Sequence, residues 1–135
     1  SMAQRIQAEF DNYKRRNKNA VADAYNSATA DTVEAFLPVL DNLERAIDSV
    51  SGTDSGESFR KGIELVQRQF LDTLAKLGVE EIEALGKPFD PELHHAVGQV
   101  DAQEGQVENT VAAVLLKGYK TSSKVIRYSM VHVVR

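Results

Sequence analysis

Residues 4–30 hold neither proline nor glycine and are rich in Ala, Gln, Lys, Arg and Glu. Those residue types favour helix, so the stretch predicts one helix of about 27 residues, roughly 40 Å long at 1.5 Å per residue. Its apolar positions are sparse: Ile6, Phe10 and Tyr13, then mostly alanines with Val21 and Tyr25. So thin a stripe cannot hold such a helix against a globular core along its length. It must pair with another helix, in this chain or in a second copy. Strict heptads fail, because Asn17, Ala24 and Ser27 fall on the extrapolated seam. A loose helix pair is predicted, not an ordinary long coiled coil.

The next segment, DTVEAFLPVLDNLERAIDSV (31–50), carries a fuller apolar face: Val33, Phe36, Leu37, Leu40, Leu43, Ile47 and Val50 at helical spacing. Asp31, with Glu34 three residues on, predicts an N-cap and a new helix start. Pro38 predicts a kink or a second start. SGTDSG (51–56) reads as a turn cluster. A further amphipathic helix follows, with an inward stripe of Phe59, Ile63, Val66, Phe70, Leu74 and Leu77, closed by Gly78. Two such helices make half a bundle, whose other half a second subunit could supply.

After Gly78 valine becomes common, and VEEIEAL, TVAAVLLKGY and KVIRYSMVHVV predict strands of a small, mainly antiparallel sheet, with KTSSK as a hairpin turn. The predicted class is therefore α+β. A long helix occupies 1–30, bundle helices 31–78, and a C-terminal β domain 79–135.

Composition excludes several functions. No cysteine is present, which removes disulfides, thiolate zinc sites and thiol nucleophiles. A net charge of −4 argues against nucleic-acid binding. No apolar run approaches the roughly 20 residues that span a bilayer. Residues 1–30 are polar and charged throughout, unlike a signal peptide, and Ser1-Met2-Ala3 reads as an expression scar ahead of a fragment. A soluble cytoplasmic protein is expected.

FDPELHHAV (89–97) looks most like chemistry, with His94 and His95 near Asp90 and Glu92. Zinc needs three or four ligands, and adjacent histidines on a helix point about 100° apart. Asp90 with His94 supplies a pair and no more. The structural alternative makes Asp90 an N-cap, Pro91 the first helical residue and Glu92 a first-turn acid. One histidine then lies under the β part beside Leu93 and Val97, and the other faces solvent. No GxSxG, GxxxxGK[ST], HExxH or GxGxxG occurs, and the acids of DNLER and VEEIE read as solvated faces. No catalytic residue, metal site or cofactor is predicted.

The ordered segments FDNYKRR, LPVLDNLERAI, GIELVQRQFLDTLAKLGVEEI, FDPELHHAV and GYKTSSKVIRYSMVHVV together resemble the GrpE family over nearly the whole chain. The resembling signature is Phe89-Asp90-Pro91, His94, Ala96 and Val97, then after twenty residues Gly118-Tyr119, Ile126-Arg127, Ser129, Val131 and Val133. The resemblance implies a bacterial, cytoplasmic co-chaperone of the heat-shock response: the nucleotide exchange factor of DnaK-type chaperones. It implies a homodimer with a paired long helix and a four-helix bundle built from two subunits. One subunit would dock on the chaperone's ATPase domain and hold its cleft open for ADP release, binding no nucleotide itself. It also makes the Asp-Pro and His framework residues of a structural turn.

Family contact positions fall on Arg45, Asp48, Gly62, Leu115, Lys124 and Val133. Without the family, Arg45 and Asp48 read as an exposed intrahelical pair worth about 0.3 kcal/mol. Leu115 and Val133 read as β core, and Lys124 as a turn lysine. Ser123 stands where the family usually has Asp, Glu or Gly, and the family's acidic, flexible N-terminal region is not part of this sequence. Two other functions compete. One is a helical dimerisation module presenting its β domain to an unrelated protein; the other is a metal-dependent enzyme using His94 and His95.

Overall fold

The computed structural model describes residues 1–50 and 56–135; the predicted turn at 51–56 lies outside the described residues except for Gly56. The chain divides into two compact units, Ser1–Thr32 and Val33–Arg135. Helix α1 (Met2–Ser49) runs through both.

In the first unit α1 leaves Ile6, Phe10, Tyr13, Val21 and Tyr25 exposed, as the thin stripe requires. The helix start predicted at Asp31 is absent. Asp31 lies exposed within α1, because nothing in the preceding Ala-Thr-Ala stops a helix that is already propagating. Pro38 does not end it either. A mid-helix proline costs about 3 kcal/mol, but Leu37 and Leu40 beside it are both 0% exposed and anchor the helix through the lost bond. The freed carbonyl belongs to Glu34, an exposed residue open to water.

In the second unit α1 buries Val33, Leu37, Leu40 and Ile47 at helical spacing. Helix α2 (Glu57–Lys76) ends at Leu77, with Gly78 at φ 81° in the left-handed conformation predicted for it. Its predicted inward stripe is only partly covered: Leu74 is buried, while Phe59, Val66 and Leu77 stay exposed. Phe36 and Val39 of α1 are likewise exposed.

The β part is built from six short strands: β1 (Glu80–Glu81), β2 (His94–Val100), β3 (Val111–Leu116), β4 (Tyr119–Lys120), β5 (Val125–Arg127) and β6 (Ser129–Val134). They form two three-stranded sheets, ordered β1-β4-β5 and β2-β6-β3, in place of the single predicted sheet. Pairing is antiparallel except for β2 with β6. Both long predicted strands break, one at Lys117-Gly118 and one at Tyr128, so that each half joins a different sheet. Ala84, Val111, Val131 and Val133 form the core, flanked by Phe89 and Val114.

FDPELHHAV departs from the helical reading. The Leu93 and His94 N–H groups both bond the Asp90 carbonyl, at 3.0 and 2.8 Å, and the Glu92 N–H bonds Asp90 Oδ1 at 2.9 Å. Asp90 thus caps a single turn. His94 then enters β2 opposite Ser129, because extending one turn gains less than a seven-residue ladder beside β6. A register shift between Ala96 and Gly98 leaves Val97 exposed, not under the sheet as predicted.

Candidate partner-binding cleft

The residues that open α1 toward the sheets follow from helical period: Asp41, Glu44, Arg45 and Asp48 share the flank beside buried Leu40 and Ile47. Together with Gln67 of α2 and Leu115 and Lys117 at the end of β3 they line a cleft of about 500 Å³. Arg45, Asp48 and Leu115, predicted from distant parts of the sequence, are brought together here.

Asp41, Glu44 and Lys117 of the lining are held in ion pairs. Arg127 of β5 forms a two-pronged pair with Asp41, Nη1 to Oδ2 at 2.8 Å and Nη2 to Oδ1 at 2.9 Å. Its Nε and Nη2 also donate to the Lys117 carbonyl, at 2.9 and 2.6 Å, and its guanidinium lies 5.7 Å from the Tyr119 ring centre. Both charged side chains are over four-fifths buried, at 17% and 19% exposure, where such a pair is shielded from water and salt more than a surface one. One turn along α1, Glu44 accepts from Lys117 Nζ at 2.9 Å, and Glu81 lies 3.5 Å from the same nitrogen. Gln67 Nε2 donates to Glu44 Oε1 at 3.4 Å.

Burial alone would lower the Lys117 pKa. The hydrogen bond and charge of Glu44, with those of Glu81, outweigh it and raise the ammonium above its ordinary value. Burial raises the Tyr119 phenol strongly, keeping it neutral. Asp41, Glu44 and Glu81 are therefore ion-pair partners and not the solvated acids the sequence suggests.

The predicted positions differ in exposure and partners, and Gly62, Lys124 and Val133 do not line the cleft. Arg45 donates to Asn42 Oδ1 at 3.2 Å, so among the described residues its intrahelical partner is Asn42 and not Asp48. Leu115 is 55% exposed, against its reading as core. Val133 is the reverse, 7% exposed inside the β core, so its side chain has no outward face to offer. Gly62 sits exposed on α2, where an added Cβ would meet nothing within 4 Å. Lys124 is exposed at the β4–β5 turn, where Thr121 Oγ1 accepts from the Ser123 and Lys124 N–H groups. Ser123 thus occupies a turn organised by Thr121.

Of the two adjacent histidines, His94 is buried and His95 exposed, as alternation along a strand dictates. His94 Nδ1 accepts the Asp90 N–H at 3.0 Å, and Phe89 packs at 5.9 Å between ring centres. Burial, outweighing the nearby Asp90 charge, lowers its pKa. Among the described residues no group of three or more His, Cys, Asp or Glu is placed to hold a metal, and no helix is long and apolar enough to cross a membrane.

Arg127, Asp41, Lys117 and Glu44 were not candidates from the sequence. The available signal was acids at positions 41 and 44 bordering the buried stripe of Leu37, Leu40 and Ile47, where charge needs a partner.

A family model described as GrpE matches residues 1–135. Protein GrpE of Clostridium acetobutylicum is 47% identical over 129 residues, covering 96% of this chain and 62% of that protein. Protein GrpE of Alkaliphilus oremlandii is 46% identical over 133 residues, covering 98% of this chain and 70% of that protein. Protein GrpE of Clostridium perfringens is 50% identical over 131 residues, covering 97% and 61%. The chain therefore spans about two thirds of the length of these relatives.

Proposed function

The chain belongs to the GrpE family, and on that premise we propose that it is a nucleotide exchange factor for a DnaK-type chaperone in a bacterial cytoplasm. It acts as a homodimer, binds the chaperone's ATPase domain, and favours the open cleft from which ADP leaves. Residues 1–30 pair the long helices, 31–78 supply half of a four-helix bundle, and 79–135 form the β domain that reaches the opened lobe. The factor performs no covalent chemistry and binds no nucleotide itself. Its effect is linkage: binding the nucleotide-free state better than the ADP state must weaken ADP by the same factor.

The observation that carries this reading is the cleft in which Arg45, Asp48 and Leu115 converge. Two charges and an exposed leucine suit a polar protein surface with one apolar anchor. Gly62 and Lys124 add outlying contacts, and Val133 is left to the core. The exposed Phe36, Val39, Phe59 and Val66 support dimerisation, since one chain leaves them uncovered.

The test is release of labelled ADP from a DnaK-type chaperone, with the factor's mass read by light scattering. Acceleration at micromolar factor and a dimer mass are expected. No acceleration would favour the interaction module with an unrelated partner; a monomer at tens of micromolar would remove the bundle.

A further inference from the structure

Lys117-Gly118 is the point where the chain crosses from one sheet to the other, and α1 holds that point twice. Asp41 takes the Arg127 fork, which also grips the Lys117 carbonyl; Glu44 takes the Lys117 ammonium. The two acids are three residues apart, one above the other on the helix. Leu115 lies two residues before the held crossing, so its direction relative to Arg45 and Asp48 depends on this grip.

We infer that Asp41 and Arg127 are positioning residues for partner binding, presetting the sheets on α1 so that Leu115 opens into the same cleft as Arg45 and Asp48. This rests on the exchange-factor reading and adds to it a cause of pre-organisation. A guanidinium fork suits the task better than an ammonium, because two parallel bonds fix angle as well as distance. With the fork gone, the sheets sample several arrangements, and the apparent affinity falls by the fraction that remains competent.

The chain contains no cysteine, so spin labels can be attached at Ala35→Cys on α1 and Ser122→Cys on the β4–β5 turn, both exposed. Labelled chain is diluted into excess unlabelled chain, so that only distances within one chain are read. Asp41→Asn and Arg127→Lys keep the shape of the site while removing the charge or the fork. The parent should give one narrow distance distribution and both variants a broadened one, with helix content close to the parent's in the absence of urea and a lower urea midpoint, since each leaves a largely buried charge poorly paired. Affinity for the chaperone's ATPase domain should fall about tenfold, if about a tenth of molecules stay competent. At saturating factor Arg127→Lys, whose side chain does not line the cleft, should recover the parental rate of ADP release, and parental helix content separates this loss of affinity from loss of folded protein. The double variant should lose no more than the worse single one, because both remove the same pair. Distributions as narrow as the parent's, or single losses that multiply in the double variant, would overturn the inference. A parent that neither binds the chaperone nor speeds ADP release would sink the exchange reading instead, and the positioning role with it. The distances would still decide whether the fork fixes the sheets.

Discussion

Gly118→Ala adds one methyl group where the chain crosses between sheets. A Cβ there would collide with the Ser129 backbone nitrogen and lie 2.6 Å from Ser129 Oγ and 2.7 Å from the Arg127 carbonyl oxygen. Carbon contacts need about 3.5–4.0 Å, so neighbours must move by about 1 Å. Two of the three are backbone atoms, which no side-chain rotation relieves. The displaced segment also carries the Ser129 N–H bond to the Leu93 carbonyl, at 3.2 Å, and the Gly118 carbonyl accepts from the Ile82 N–H at 2.9 Å. Overpacking costs about 1–3 kcal/mol, and one weakened backbone bond adds about 1 kcal/mol. A loss of about 3 kcal/mol is therefore expected. Gly62→Ala is the control: nothing lies within 4 Å of its Cβ, and alanine in a helix interior is favoured by up to about 1 kcal/mol. The same chemical change should thus act in opposite directions at the two glycines. Urea unfolding, followed by far-ultraviolet circular dichroism and the near-ultraviolet signal of buried Tyr119, reads both. With a slope of about 1.5 kcal/mol per molar urea, the Gly118→Ala midpoint should drop by about 2 M. A midpoint at or above the parent's, with unchanged slope, would refute the steric argument.

Gly62→Asp should leave the dimer mass unchanged in light scattering while sharply weakening chaperone binding; dissociation of the dimer, or parental affinity, would remove Gly62 from the contact. Val133→Ala should cost about 2 kcal/mol in urea unfolding, from lost burial and a small cavity. Leu115→Ala should change stability by no more than about 0.5 kcal/mol yet reduce chaperone affinity, and the reverse pattern would exchange their roles. Burial holds the His94 pKa below its ordinary value of 6.5, so below that pH the unfolded chain binds more protons than the folded one. The stability it contributes is full above about pH 6.5 and is lost as pH falls toward the folded pKa. Midpoints of the parent should fall more steeply over that window than those of His94→Gln, and equal slopes would contradict it. The thinly packed residues 4–30 should melt before the sheets, with the far-ultraviolet signal changing first; coincident transitions would count against this.

Local rules decided much of this protein from the sequence. An unbroken run of helix formers made the first thirty residues of α1 helical, and Gly78 took the left-handed position its helix end required. Such outcomes depend on neighbours within a few residues. Asp31 caps no helix and Pro38 starts no second one, because cap and breaker signals are weak beside a propagating helix and two fully buried leucines. The turn at Asp90 carried every local mark of a helix start, and only pairing of His94–Val100 with β6 made it the entrance to a strand. The cleft was legible as separate residues, through a family resemblance that supplied Arg45, Asp48 and Leu115 without saying how they meet. What brings them to one place is the Arg127 fork on Asp41, a contact across 86 residues of chain. A carboxylate and a guanidinium that far apart in sequence have no local signature of their pairing. Their partnership exists only once the strands break at Lys117-Gly118 and Tyr128 and fold the two sheets against the helix.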